Sequence, residues 1–92
     1  MSLVKATTLG DVPKGKHMVQ VANFEGDTAT LYDPLSKEEV EEARAIFNRA
    51  IGRGMVGFAV RAGTGGSVDA TATHTFDETA TKMVVTTPLV GG

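Results

Sequence analysis

The segment Ser36-Lys37-Glu38-Glu39-Val40-Glu41-Glu42-Ala43-Arg44-Ala45-Ile46-Phe47-Asn48-Arg49-Ala50-Ile51-Gly52-Arg53-Gly54 decides the fold. Ser36 and Glu39 stand three apart, the spacing of a capping box in which each side chain satisfies an orphan backbone donor of the first turn. Leu35 and Val40 are spaced for a hydrophobic staple across that cap. Glu38, Glu39, Glu41 and Glu42 crowd the positive end of the helix dipole, and Arg49 and Arg53 its negative end. Val40, Ala43, Phe47, Ala50 and Ile51 recur at i, i+3, i+7, i+10 and i+11, one apolar face of a 3.6-residue period, which Ile46 widens. Gly52 or Gly54 supplies the stop. The pattern predicts a helix over about 37–51.

On either side the period falls to two. Before the helix, Met18-Val19-Gln20-Val21-Ala22 is rich in β-formers, Glu25-Gly26-Asp27 reads as a hairpin turn, and Thr28-Ala29-Thr30-Leu31-Tyr32 returns until Asp33-Pro34 ends the strand. After it, Met55-Val56-Gly57-Phe58-Ala59-Val60 is apolar enough for a central strand buried on both faces. Gly63 to Ser67 reads as a loop, Val68 to Phe76 as a softer strand, Asp77 to Ala80 as a turn, and Lys82 to Thr87 as the last strand. The predicted order is ββαβββ, an α+β domain with one helix on a small mixed or antiparallel sheet, compatible with a β-grasp. Val40, Ala43, Phe47, Ala50 and Ile51 are expected to pack against Val19, Val21, Phe58, Val60 and Val84. Residues 1–16, broken by Gly10, Pro13 and Gly15, read as an N-terminal arm whose Leu3, Val4, Leu9 and Val12 are contact candidates. Residues 17–92 form the domain, with Pro88, Leu89, Val90, Gly91 and Gly92 as a C-terminal tail.

A chain of 92 residues makes one domain. With four Phe, one Tyr and no Trp, its core must come from aliphatic side chains. A domain this small buries only about 60–65% of its unfolded surface, so help from a partner or from self-association is favoured. Nine basic against eleven acidic residues, net −2, do not make the clustered basic surface of a nucleic-acid binder. The absence of cysteine excludes disulfides, thiolate metal ligands and thiol nucleophiles. No apolar run approaches the roughly 20 residues that span a bilayer, and the first eight residues lack the basic and apolar regions of a signal peptide.

The chemical motifs are weak. His17 and His74 lie far apart, and no carboxylates complete a zinc set at diagnostic spacing. Both are read as solvent-facing strand histidines. Gly63-Thr64-Gly65-Gly66 is followed by a β-like segment, whereas a phosphate loop needs the N-terminal amides of a helix. The many threonines between Thr71 and Thr87 have no base and orienting partner at hand, and read as exposed strand positions. The chain is therefore expected to act by binding, without catalysis, cofactor or metal.

The ending Thr87-Pro88-Leu89-Val90-Gly91-Gly92 carries a more specific pattern. Glycines lack a Cβ and let a terminal carboxylate thread a narrow channel toward ATP. Phe76-Asp77, Met83-Val84-Val85, Pro88 and Gly91-Gly92 resemble the ending of the small sulfur carriers of molybdopterin and thiamine synthesis and, more distantly, of ubiquitin. That resemblance implies activation at the terminal glycine by an ATP-dependent activating enzyme. Over residues 17–92 the chain is also similar to a family of small tailed-bacteriophage proteins that ends in Pro-x-x-Gly-Gly. His17-Met18, Gly26-Asp27-Thr28, Tyr32-Asp33-Pro34, Glu39-Val40-Glu41, Ala43, Phe47, Gly54 to Phe58, Phe76-Asp77 and Pro88 to Gly92 carry the likeness. Tyr32 stands where that pattern leads one to expect Trp. This resemblance implies a virion structural or accessory protein near the head or the head-tail junction. Its partners would be other virion proteins or copies of itself, first in the host cytoplasm and then in the particle.

Overall fold

The computed structural model describes residues 12–23 and 26–87. Five strands form one mixed sheet: β1 (His17–Asn23), β2 (Gly26–Tyr32), β3 (Val56–Ala62), β4 (Val68–Ala72) and β5 (Lys82–Thr86). Among the described residues one helix, α1 (Lys37–Gly52), follows the first hairpin, and a 3-10 turn, Thr64–Gly66, links β3 to β4. The sheet order is β2-β1-β5-β3-β4. Every neighbouring pair is antiparallel except β1 and β5, which run parallel in the middle of the sheet. The α+β domain and the ββαβββ order are as the periodicity predicts, and the sheet is the mixed alternative.

The helix forms where its caps lie. Ser36 is the N-cap, and its Oγ accepts from the Glu39 N–H at 3.4 Å. The reciprocal half of the box is absent, because the Glu39 carboxylate accepts instead from the Asp33 N–H at 3.0 Å and so ties the helix to the end of β2. The staple does not form: Leu35 is 92% exposed while Val40 is buried. At the other end Gly54, with φ +88°, adopts a conformation that a Cβ disfavours. The Gly54 N–H bonds to Ile51 O at 2.9 Å and the Met55 N–H to Ala50 O at 3.2 Å, the paired bonds of a Schellman motif.

Val40, Ala43, Phe47 and Ala50 are buried under this helix, as the spacing predicts, with Ile46 and Ile51 partly buried at the margin. Their partners differ from the expected set. Strand residues alternate between faces, and the helix side carries Val19, Ala59, Met83 and Val85, with Val21 partly buried. Phe58, Val60 and Val84 form a separate cluster on the opposite face. Choosing one residue out of register in β3 and β5 moved those side chains across the sheet. Tyr32, Phe76 and Ala80 complete the helix-side core. Phe76 bridges two rings, 5.9 Å from Phe47 and 6.3 Å from Tyr32.

Other boundaries shift for physical reasons. Asn23 pairs with Gly26 and Ala22 with Asp27, so Gly26 and Asp27 belong to β2 rather than to the turn expected at Glu25 to Asp27. The strand at the centre of the sheet is β5, not β3, which has only β4 beyond it. The softer strand ends at Ala72, and the chain then leaves the ladder so that Phe76 can reach the core.

Candidate interaction surface

Val12 is half-buried, ahead of a turn in which the Lys16 N–H bonds to Pro13 O at 3.1 Å. Leu3, Val4 and Leu9 of the predicted arm, and Pro88, Leu89, Val90, Gly91 and Gly92 of the predicted tail, lie outside the described residues. The tail's point of departure is defined. The Thr87 N–H bonds to Ala22 O at 3.3 Å, so the parallel pairing of β5 with β1 runs up to the residue before Pro88.

The two ends of the sheet are edges. β2 carries Leu31, 45% exposed. β4 is exposed at all five residues, Val68-Asp69-Ala70-Thr71-Ala72. The hydrogen bonds next to β4 show which of its backbone groups are spent. The Thr73 N–H bonds to Gly57 O at 2.9 Å and the Gly63 N–H to Ser67 O at 2.7 Å. With Thr71 opposite Ala59 and Asp69 opposite Arg61, residues 67, 69, 71 and 73 point their peptide groups at β3. In an antiparallel ladder the alternate residues point the other way. Val68, Ala70 and Ala72 therefore direct N–H and C=O groups outward. Small side chains leave them accessible, and the strand has neither the lysine nor the proline that commonly blunts an edge.

The charged side chains near the hollow lined by Arg44, Thr73, Thr75, Phe76, Asp77 and Glu78 are engaged with one another. Arg44 lies over the Phe76 ring, 5.4 Å from its centroid, and its Nη2 is 2.9 Å from Glu78 Oε2. Asp77 Oδ1 accepts from the Thr79 N–H at 2.9 Å and from the Thr79 hydroxyl at 2.6 Å, while Asp77 Oδ2 pairs with Arg61. The Thr79 hydroxyl hydrogen bond is the largest of the effects that hold the Asp77 carboxyl below its ordinary pKa. These contacts pin the loop between β4 and β5 over the end of the helix-side core. They are spent on structure, as an Asx turn and a stacked guanidinium.

His17 and His74 are not brought together. His17 is not the solvent-facing residue expected: it is half-buried with its ring edge-on to Tyr32, 5.6 Å between centroids, and burial lowers its pKa. His74 is exposed, in the turn after β4 rather than in a strand. Burial, and then the charges of Glu78 and Asp77, push the Tyr32 phenol up to about 12. Among the described residues no three His, Cys, Asp or Glu side chains cluster to hold a metal. No described helix is long and apolar enough to cross a membrane. Gly63 to Gly66 lead into β4 rather than a helix.

The outward peptide groups of β4 are the feature that residue-type reasoning missed. The signal was present in the run of Ala, Asp and Thr, too small and polar for a strand with neighbours on both sides. No protein-family model, no curated protein and no solved structure matches the chain.

Proposed function

We propose that the chain is a non-enzymatic structural or accessory protein of a phage particle, placed near the head or the head-tail junction. It holds its neighbours by strand addition. The observation that carries the binding mode is the exposed β4 edge, where the peptide groups of Val68, Ala70 and Ala72 point away from β3 and are paired to no other described strand. An extended segment of a neighbouring subunit that pairs there gains main-chain hydrogen bonds without needing a deep pocket. The similarity of residues 17–92 to small tailed-phage proteins supports the particle as the setting. Mass spectrometry of purified virions and assembly intermediates tests the reading. The protein is expected at a fixed copy number, and its absence from both overturns the assignment.

A second reading has its own support. The order β2-β1-β5-β3-β4, with a parallel β1–β5 pair and the helix after the first hairpin, resembles a β-grasp. Pro88 to Gly92 follow the central strand directly. On this reading the protein is a ubiquitin-like or sulfur-carrier protein, activated at Gly92 by an ATP-dependent enzyme. Incubation with ATP and the host's activating enzymes would then give an adenylate or thiocarboxylate mass shift. Gly92→Val would abolish it while leaving the fold intact.

A further inference from the structure

The open edge of β4 has a pattern of its own. Its peptide groups at Val68, Ala70 and Ala72 point away from β3, and the described chain on either side turns back toward β3. Before the strand, the connection closes with the Gly63 N–H on Ser67 O. After it, the Thr73 N–H bonds to Gly57 O, and the chain carries Phe76 into the core beneath α1. The two faces of the strand differ in chemistry. Thr71 stands opposite Ala59 of the helix-side core, so Asp69 and Thr71 lie on the helix side. Val68, Ala70 and Ala72 lie on the far side, opposite Ala62, Val60 and Phe58. An apolar stripe therefore runs out along the far face to the edge and ends there, with Val68 42% exposed.

A strand that adds here must match three features at once. It must turn peptide groups toward Val68, Ala70 and Ala72, set small apolar side chains beside them, and place no carboxylate opposite Asp69. β4 itself meets all three. Turned about a two-fold axis normal to the sheet, a second β4 sets Ala70 opposite Ala70, Val68 opposite Ala72, and Asp69 opposite Thr71. Outward residues then meet outward residues, and each facing pair exchanges both of its hydrogen bonds. The Asp69 carboxylate meets a hydroxyl that can donate to it. Other registers fail. A slip of one residue sets outward groups against inward ones. A slip of two in one direction puts the two Asp69 side chains opposite each other, where like charges repel. The same slip in the other direction sets Val68 against His74, which is in the turn beyond the strand.

We propose that β4 is the seam of a symmetric homodimer, in which two five-stranded sheets join edge to edge. The proposal rests on the reading of β4 as a strand-adding edge, and it names the partner as a second copy of this chain. The interface is isologous, the same strand contributed by both subunits. Both helices lie on one face of the continuous sheet. On the other, Val68 of each copy packs against Ala72 of its mate.

Cysteine pairing tests the register, and the chain has no cysteine to interfere. Asp69 and Thr71 of the other copy form a non-hydrogen-bonded pair, with Cα atoms about 4.5 Å apart, within reach of a disulfide. Full-length Asp69→Cys and Thr71→Cys proteins, mixed in equal amounts and treated with oxidised glutathione, should give the mixed dimer well above either self-linked dimer. Sedimentation equilibrium of the unaltered protein at millimolar concentration should give twice the chain mass. An isotope-filtered NMR spectrum of a half-labelled sample should show an intermolecular cross-peak between the Asp69 and Thr71 Hα protons. Ala70→Pro should return the protein to a monomer of unchanged melting temperature. A monomeric unaltered protein overturns the second copy as partner. Self-linked Asp69→Cys in excess overturns the register, and an Ala70→Pro protein that stays dimeric overturns the seam. A protein absent from virions leaves all these measurements unaffected, and a monomer in solution leaves the virion assay unaffected, so the two proposals fail separately.

Discussion

β5 and β4 are each five residues long, and both run antiparallel to β3, one on either side of it. Lys82, Met83, Val84 and Val85 of β5 are all buried, whereas every residue of β4 is exposed. The difference is one of neighbours. β5 is paired along both edges, and Met83 and Val85 lie in the core beneath α1, so each added methylene there removes apolar surface from water. β4 is paired along one edge and is held by its ladder to β3 and the short connection at 63–67. Large side chains would gain little burial there, and Asp69, Ala70, Thr71 and Ala72 are what such a position tolerates. Strand propensity alone does not separate the two. What separates them is how many layers and ladders each residue meets.

The largest test of this contrast is at the core that β5 helps to enclose. Phe47 is completely buried, against Phe76 and the helix side of the sheet. Phe47→Ala is expected to cost about 3–5 kcal/mol, a large part of the roughly 5–15 kcal/mol that holds a domain together. Val68→Ala, at the exposed start of β4, should stay within about 0.5 kcal/mol. Urea denaturation of both variants measures the gap, and equal midpoints would mean that the buried and exposed strands are wrongly distinguished.

Gly57 gives a smaller effect by the opposite route. A Cβ there would sit 2.7 Å from Thr73 O and 2.8 Å from the Phe47 ring. The Phe47 ring of α1 and the chain leaving β4 both pass close to this position. Neither the backbone oxygen nor a fully packed ring can move away cheaply. Gly57→Ala is expected to destabilise by about 1–3 kcal/mol through overpacking. Its thermal midpoint should fall well below that of Gly52→Ala, where an added Cβ would meet nothing within 4 Å.

Tyr32 turns the comparison into a pH dependence. Among the described residues its buried hydroxyl has no hydrogen-bond partner, so Tyr32→Phe removes a desolvation penalty and should raise stability at neutral pH by up to about 1–3 kcal/mol. Burial first, then the nearby carboxylates, push the phenol up to about 12 from its ordinary value of 10.0. A group whose folded pKa is raised contributes stability that is intact below the unfolded value and lost as pH rises through the folded one. Wild-type stability relative to Tyr32→Phe should therefore decline between about pH 10 and 12, and a difference that stays flat over that range would show the ring to be solvated.

Much of this was legible from residue types. Ser36, the 3.6-residue apolar period and Gly54 mark the helix because helix ends and faces are set by local chemistry. Glycine and proline mark most of the strand boundaries for the same reason. Which face Phe58, Val60 and Val84 take was not legible. In strands that are apolar on both sides, such as Met83-Val84-Val85, no polar alternation fixes the register, and a one-residue choice inverts every side chain. The parallel β1–β5 pairing is likewise a long-range outcome that no local motif records. The staple failed because Glu39 bonded to the Asp33 N–H and Leu35 was left in solvent. The β4 edge was half legible: its small residues were visible, but the outward direction of Val68, Ala70 and Ala72 required the register.

That register yields the finest test, in which two adjacent residues of β4 respond differently to the same substitution. Thr71 points its N–H toward β3 opposite Ala59, whereas Ala70 points its own into solvent. Proline removes the N–H in either place. Thr71→Pro deprives the ladder of a donor and leaves the facing carbonyl without a partner, at an expected cost of about 1–3 kcal/mol. Ala70→Pro removes a donor that no described residue uses, on an edge strand where proline is tolerated, and should leave stability within about 0.5 kcal/mol. What Ala70→Pro should remove is partner capture by strand addition, because an incoming strand needs that N–H. A protein that keeps its melting temperature but no longer captures a strand-adding partner would tie the edge to its use. If Ala70→Pro unfolds the domain as readily as Thr71→Pro, the assignment of inward and outward peptide groups is reversed, and with it the surface on which strand addition depends.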